Sequence, residues 1–465
     1  MRIMPISDSP DAPTGFGTNT KNVSAILTKA GHKIGYGGCQ NRAHDANYKL
    51  EWPLGSGEEV TIENLPLLHP GQEKFGEKSF DTWVQQFKPD LILTHLDVQM
   101  FQHITARKDI QGIQISLKKP DGSWLTKQER NKAVDETIKQ IMKGQPWKIA
   151  SIFPVDGQPS VPHWYETLKY IDYPIAMARY GQEVLREDFP HLGQEWHDKV
   201  TYIPHGVDTN FFKPKVMDRP DKAFIVGCVA RNQHRKNIPR LMRGFAHFVE
   251  HNNLSPDDAK LLLHMDHNDF MGWKIMEMAQ YLEIEKYMVP PTCGAIDAGE
   301  GVSEERMVEI FNLMDVFVLP TAGEGFGIPT VEAMACGVPI CVTNYTTGYE
   351  LVKCKDPENE EIPLMPLGDK AENGRDYLID DDWSDRGCLL PYKDMWWDTP
   401  NRAAPQRAIV SEIAISQALT KLYSEPKFRT KLAVNARKHA LKHYSWESVE
   451  KRYLKFIKRI EEEMK

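Results

Sequence analysis

Residues 316–342, VFVLPTAGEGFGIPTVEAMACGVPICV, leave this chain few folds to choose from. An apolar run of strand length enters a turn in which Gly323, Gly325 and Gly327 alternate with Glu324 and Phe326. Pro329 suits the first turn of a helix, Gly337 ends that helix, and a second apolar run follows. Strand, glycine turn, helix and strand make one parallel-sheet unit, and such units build layered α/β folds in series.

The rest of the sequence supplies the series. In the first half, apolar runs predict strands at 2–6, 91–94, 149–153, 175–178 and 200–203. A loop at 7–17 leads to a helix over 18–30, with Val23, Ile26, Leu27 and Ala30 on one face and Gly31 as its stop. The alternation restarts with a strand at 224–230 and a helix carrying Leu241, Met242, Phe245 and Val249. Further strands are expected at 260–264, 316–319 and 339–342. Segment 205–221, HGVDTNFFKPKVMDRPD, is rich in turn formers and reads as a linker. The prediction is an α/β protein of two halves with parallel sheets, 1–204 and 205–444. Length agrees, since 465 residues exceed one ordinary core.

Two segments break the pattern. Residues 355–386 are strongly polar and read as a surface insertion, and 103–147 carry many charges and read as an excursion of the first half. Near the C-terminus, Trp446, Val449, Tyr453, Phe456, Ile457 and Ile460 recur at helical spacing. They predict a packed amphipathic helix; a helix lying on a membrane surface is the other reading.

Composition narrows the function classes. The 57 Lys and Arg against 65 Asp and Glu give a formal net charge of −8. Nucleic acid is therefore not an expected partner, although a local basic pocket could still bind phosphate. Cys39, Cys228, Cys293, Cys336, Cys341, Cys354 and Cys388 lie scattered with no CxxC pair. That fits buried free thiols in a reducing compartment and argues against a zinc site. The N-terminus has no signal-peptide pattern, and no apolar run of about 18 residues occurs. The expectation is a cytoplasmic protein without a transmembrane segment, with peripheral membrane contact left open.

The glycine turn carries the chemistry. A strand feeding a glycine-rich turn and a helix start offers backbone N–H groups and the helix dipole to an anion, and glycine lets the backbone approach it closely. Glu324 lies in the turn and Glu332 on the helix. Two carboxylates facing a diphosphate would repel it; they make sense as acceptors of sugar hydroxyls, one on a ribose diol and one on a transferred hexose. Either acid alone reads equally as a turn residue or a dipole-favoured glutamate. In CVARNQHRKNIPRLMRGF, 228–245, Arg231 and Lys236 follow a strand end, where open α/β sheets bind ligands and where cations suit phosphate. In TGFGTNT, 14–20, Gly15 and Gly17 give a weak phosphate signal. Their spacing is not GxGxxG, and the second strand, HKIGYGGCQ, ends without an acid, which disfavours a dehydrogenase.

Together these residues resemble the GT-B retaining glycosyltransferases of family 4, the group 1 glycosyl transferases, over most of the chain. EGFGIPTVE, 324–332, matches the family's pair of glutamates, and AMACGVPI follows as usual. IPHGVDTNFF, 203–212, is similar to the interdomain signature, and YSWESVEKRYLKF, 444–456, to the closing helix that returns to the N-terminal domain. The resemblance implies two Rossmann-like domains facing a cleft, with the acceptor on 1–204 (joined by the helix at 445–465) and the donor on 205–444. It implies a nucleotide diphosphate sugar as co-substrate and no required cofactor or metal. Donor contacts fall on Gly15, Gly17, Arg231, Lys236, Glu324, Gly325, Phe326, Gly327, Ile328 and Glu332, with Arg231 and Lys236 on the diphosphate. The acceptor could be a glycan, lipid, polyol or protein.

One departure matters. Many relatives carry a histidine at an N-terminal strand end, where this chain reads SIFPVDGQPSVPHWY, 151–165. Asp156 takes that place, as a contact for sugar or acceptor hydroxyls or as a turn cap. His95, ending LILTH, is a second cleft candidate, and His205 reads as a hinge residue. The expected function is retaining hexosyl transfer from a UDP- or GDP-sugar, with Arg231, Lys236, Glu324 and Asp156 as the catalytic set. A nucleotide-sugar epimerase and a non-catalytic binding protein are the alternatives on the same fold.

Overall fold

The structure is a computed structural model that describes residues 1–12, 14–39, 47–107, 126, 147–219, 222–290, 302–364, 374–398 and 405–465. Most of the charged segment at 103–147, Cys293, and residues 365–373 of the polar insertion lie outside these.

The described strands of the first half are β1 (Arg2–Asp8), β2 (Lys33–Cys39), β3 (Tyr48–Glu51), β4 (Glu59–Leu65), β5 (Leu91–His95), β6 (Lys148–Phe153), β7 (Tyr173–Ala176) and β8 (Thr201–Tyr202). They form one sheet in the order β3-β4-β2-β1-β5-β6-β7-β8. All neighbours run parallel except β3, which pairs antiparallel with β4 at the edge. Parallel strands covered on both faces need continuous apolar runs, as β1 and β5 show. In β2, glycines stand where larger residues would collide: a Cβ on Gly35 would lie 2.5 Å from the Phe87 ring and one on Gly37 2.8 Å from Trp83. The helix Phe80–Phe87 thus lays both rings directly on the sheet.

The second half adds β9 (Phe224–Val229), β10 (Ala259–His264), β11 (Val316–Leu319), β12 (Ile340–Thr343) and β13 (Gly387–Leu390). These form a parallel sheet in the order β10-β9-β11-β12-β13. Helix Ile238–His251 crosses between β9 and β10 and buries Leu241, Met242, Phe245, Phe248 and Val249. Each such side chain contributes about 1.5–3 kcal/mol by leaving water. The chain therefore has the α/β architecture of two parallel-sheet, Rossmann-like units. A separate antiparallel hairpin, β14 (Tyr392–Trp397) with β15 (Gln406–Val410), was not expected from the sequence.

The polar stretch 355–386 is not wholly a surface feature. Asp382 is buried and bound by the Arg375 guanidinium at 2.7 Å, and buried Arg386 donates to the carbonyls of Leu351, at 2.9 Å, and Cys354. Charged residues there hold backbone carbonyls that lie outside any ladder, which hydropathy alone does not reveal.

The last helix, Trp446–Glu463, buries the six apolar residues expected of it. Trp446 meets Trp52 edge-on at 5.7 Å and Phe456 meets Tyr173 at 6.2 Å, so the helix packs back on the first sheet. Its entry is fixed by the Val207 N–H donating to the Tyr444 carbonyl at 2.8 Å. Nearby, the buried Glu350 carboxylate accepts from the Arg179 N–H and the Tyr202 hydroxyl, each at 2.7 Å, which joins helix Gly348–Val352 to the first sheet.

Candidate functional site

The glycine turn after β11 meets the first sheet across a cleft. Gly327 sits at φ +95, where glycine alone avoids strain, and directs the chain into helix Ile328–Ala335. The turn is anchored at three points. Glu324 N–H donates to Thr346 Oγ1 at 3.0 Å, and the Gly323 carbonyl accepts from Arg235 at 2.8 Å and from Thr321 Oγ1 at 3.0 Å.

Glu324 is buried, with the Lys236 ammonium on its Oε1 and the Arg235 guanidinium 3.5 Å away. Burial alone would raise this carboxyl, but the two cations hold it at about 2. Burial pulls the Lys236 ammonium below its ordinary range, and Glu324 offsets part of that. Glu324 therefore stands ionised between two cations, beside a helix start.

The opposite wall comes from the loop after β6. Asp156 pairs with Arg407 at 3.1 Å and faces Arg235 at 3.9 Å, while Arg407 also holds Asp398 at 3.0 Å. Glycine is needed where the walls touch. A Cβ on Gly323 would strike the Asp156 carbonyl, one on Gly325 would lie 2.6 Å from Pro154 Cβ, and one on Gly15 would lie 3.0 Å from Ile328 Cδ1. Beside this wall lies a cavity of about 1210 Å³ whose lining includes Asp97, Asp156, Arg235 and Arg407.

The expected site residues divide into those brought together and those not. Lys236, Glu324, Asp156, Gly325 and Gly327 converge as expected. Arg231 does not: its side chain is 58% exposed and pairs with Asp269 at 3.0 Å. Arg235 stands beside Glu324 instead. Gly15 and Gly17 lie within the first turn of helix Gly15–Lys29, not in a loop before it, because Thr14 caps that helix by accepting from Gly17 N–H. Gly15 still reaches Ile328, but a Cβ on Gly17 would lie 2.6 Å from the Ser9 carbonyl, so Gly17 serves the close packing of its helix start on Ser9.

His95 is a core residue and not a cleft residue. It is fully buried, bonds Thr20 Oγ1 at 2.8 Å, and burial holds its ring well below the usual histidine range. His205 stacks between it, at 5.1 Å, and Phe326, at 5.2 Å. Phe326 is buried under Tyr444, 5.6 Å away, so it holds the turn in place through its ring. Glu332 is half-buried, and no described residue donates a hydrogen bond to its carboxyl. Burial, with Glu304 adding, pushes it up to about 8.

Sequence reading missed Arg235, Arg407 and Asp97. Arg235 was adjacent to Lys236 in HRKN, and Asp97 lies two residues beyond the strand-end His95; Arg407, on the hairpin, carried no signal. Among the described residues no cluster of three His, Cys, Asp or Glu side chains could hold a metal ion. No helix among them is long and apolar enough to cross a membrane.

The chain is similar to known proteins in sequence and in fold. Residues 295–356, which contain the glycine turn and both glutamates, match the family described as Glycosyl transferases group 1. A D-inositol 3-phosphate glycosyltransferase of Corynebacterium jeikeium is 23% identical over 49% of this chain and 52% of its own length. An O-antigen chain mannosyltransferase B of Escherichia coli is 41% identical over 25% of this chain and 28% of its own. The chain thus spans about half the length of the first relative and less of the second. Among solved structures, a sucrose-phosphate synthase from Thermosynechococcus elongatus superposes with a TM-score of 0.64 at 15% identity, covering 98% of both chains. A glycosyltransferase from Rickettsia africae gives 0.60 at 13% identity, over 98% of this chain and 97% of that one. Residues 295–356 are thus similar to the glycosyl transferases group 1 family, and the chain has the two-sheet GT-B fold of these structures.

Proposed function

We propose that this protein is a retaining glycosyltransferase that moves a hexose from a nucleoside diphosphate sugar, of UDP or GDP type, to an acceptor hydroxyl. The observation that carries this reading is Glu324 held between Lys236 and Arg235 at a helix start. An incoming diphosphate competes for the two cations and meets the helix start behind Gly327. Glu324, released from Lys236, then accepts hydrogen bonds from the hydroxyls of the transferred sugar. Glu332, without a hydrogen-bond donor of its own among the described residues, takes the ribose diol. Arg231, at the exposed end of β9, is a further cation within the same loop.

In this mechanism the bond between the sugar C1 and the phosphate oxygen breaks as the acceptor oxygen joins C1 from the same face. The acceptor proton passes to the leaving phosphate oxygen. The protein contributes position and charge: cations on the developing phosphate, carboxylates on the sugar. The leaving-group charge rests on Lys236, Arg235 and the helix start, so the reading calls for no metal or other cofactor. The mannosyltransferase among the relatives favours a hexose as the transferred group.

A chromatographic assay of sugar transfer compares the native protein with Glu324→Ala and Lys236→Ala. Both variants are expected to lose transfer while melting cooperatively. Full activity in both would refute the assignment.

A further inference from the structure

The cavity of about 1210 Å³ is larger than a small-molecule pocket, about 300–1,000 Å³. Its lining combines two chemistries. Indoles come from three separate parts of the fold: Trp164 after β6, Trp273 after β10 and Trp396 on the β14–β15 hairpin. Carboxylates Asp97 and Asp156 lie in the loops that follow β5 and β6, with Arg235 between them and Glu324. Asp156 is satisfied by arginines, but no described residue donates a hydrogen bond to the Asp97 carboxyl. Burial, with Asp156 adding, pushes that carboxyl up to about 6. The Trp273 Nε1–H is also buried without a partner.

An unpaired carboxylate in a partly dry cavity is costly unless a ligand supplies the missing partner. The ligand must donate hydrogen bonds to Asp97 and lay apolar faces on aromatic rings. A carbohydrate does both, with hydroxyls at its edges and C–H bonds on its faces. An acyl chain offers no donors to Asp97.

We propose that this cavity binds an oligosaccharide of two or more residues, which, given the function proposed above, is the acceptor. Asp97 takes its hydroxyls and the indoles of Trp396 and Trp273 stack on its rings. The non-reducing or branching hydroxyl is then delivered past Arg235 toward the sugar held by Glu324. Asp97 is a specificity-determining residue in this arrangement, and the hairpin is the part of the fold that lengthens the acceptor site.

Saturation-transfer NMR and calorimetry with gluco-, manno- and galacto-trisaccharides, with dodecyl phosphate as the lipid-like arm, test this. At least one trisaccharide is expected to bind the native protein. Trp396→Ala and Asp97→Asn should each weaken it about fivefold to tenfold, the loss of one stacked ring or one charge-assisted hydrogen bond. The two variants lie in different halves of the chain, and melting curves show that each is folded. Binding of no trisaccharide, equal binding in native protein and both variants, or preference for dodecyl phosphate would overturn the proposal. UDP and GDP are titrated into the same samples. Trisaccharide binding without nucleotide binding would sink the transferase reading and leave the carbohydrate cavity standing.

Discussion

The two walls of the cleft are built by different means. The C-terminal wall is one continuous turn, 321–328, in which backbone groups, a helix start and three glycines do most of the work and Glu324 faces Lys236 and Arg235. The N-terminal wall and its annex are assembled from side chains far apart in sequence: Asp97, Asp156, Asp398 and Arg407. A site made of backbone tolerates little change in spacing, because each N–H and each glycine has one place. A site made of side chains can change its members more freely, as with Asp156 where a histidine was expected. On this account the first wall sets the reaction and the second sets what it acts upon.

The largest effect separates the walls. Lys236→Ala leaves buried Glu324 with one cation and strips the phosphate site of a charge, so transfer should fall about 100-fold to 1,000-fold at unchanged acceptor affinity. An equal loss from Asp156→Asn would erase the distinction. Next comes their contact. Gly325→Val adds bulk 2.6 Å from Pro154 Cβ, and overpacking there should cost about 1–3 kcal/mol and lower the melting temperature. An unchanged melting temperature would show that the walls do not need to touch.

A smaller effect concerns the helix of the first wall. The carboxyl of Glu332 is raised to about 8 from an ordinary value near 4.5. It is neutral in both states at low pH, and it ionises first in the unfolded chain as pH rises. The stability it contributes is therefore present below about pH 4.5 and lost as pH rises through 8. Glu332→Gln should thus gain melting temperature relative to the native protein between pH 5 and pH 8.5. A difference that stays constant with pH would place Glu332 in water. The smallest effect expected is none: EDTA should leave the transfer rate unchanged, since cations of the protein carry the leaving-group charge. A rate restored only by added divalent metal would move that role away from Lys236 and Arg235.

How much was legible in the sequence follows the same division. Parallel strands buried on both faces appear as apolar runs, so the central strands of both sheets could be found from hydropathy and punctuation, whereas β3 and β4 at one edge and β13 at another were missed. The glycine turn was legible because its chemistry is local: residues within one short segment make the site. Arg235 was hidden beside Lys236, since sequence does not tell which of two neighbouring cations turns inward. The structure turns Arg231 out to Asp269 and Arg235 in to Glu324. His95 looked like a cleft residue because it ends a strand, yet it points into the core, where Phe16 and His205 pack on its ring. The β14–β15 hairpin follows a polar stretch without alternation strong enough to announce it, and its Arg407 meets Asp156 only through the tertiary fold.

The central claim is that the turn at Glu324 is a phosphate and sugar site operated by Lys236. Isothermal titration of UDP and GDP into native protein and into Lys236→Ala tests it most directly. The account predicts that one nucleotide binds the native protein and binds the variant at least about tenfold more weakly, the loss of one charge-assisted contact to phosphate. Equal affinity in both proteins would contradict it.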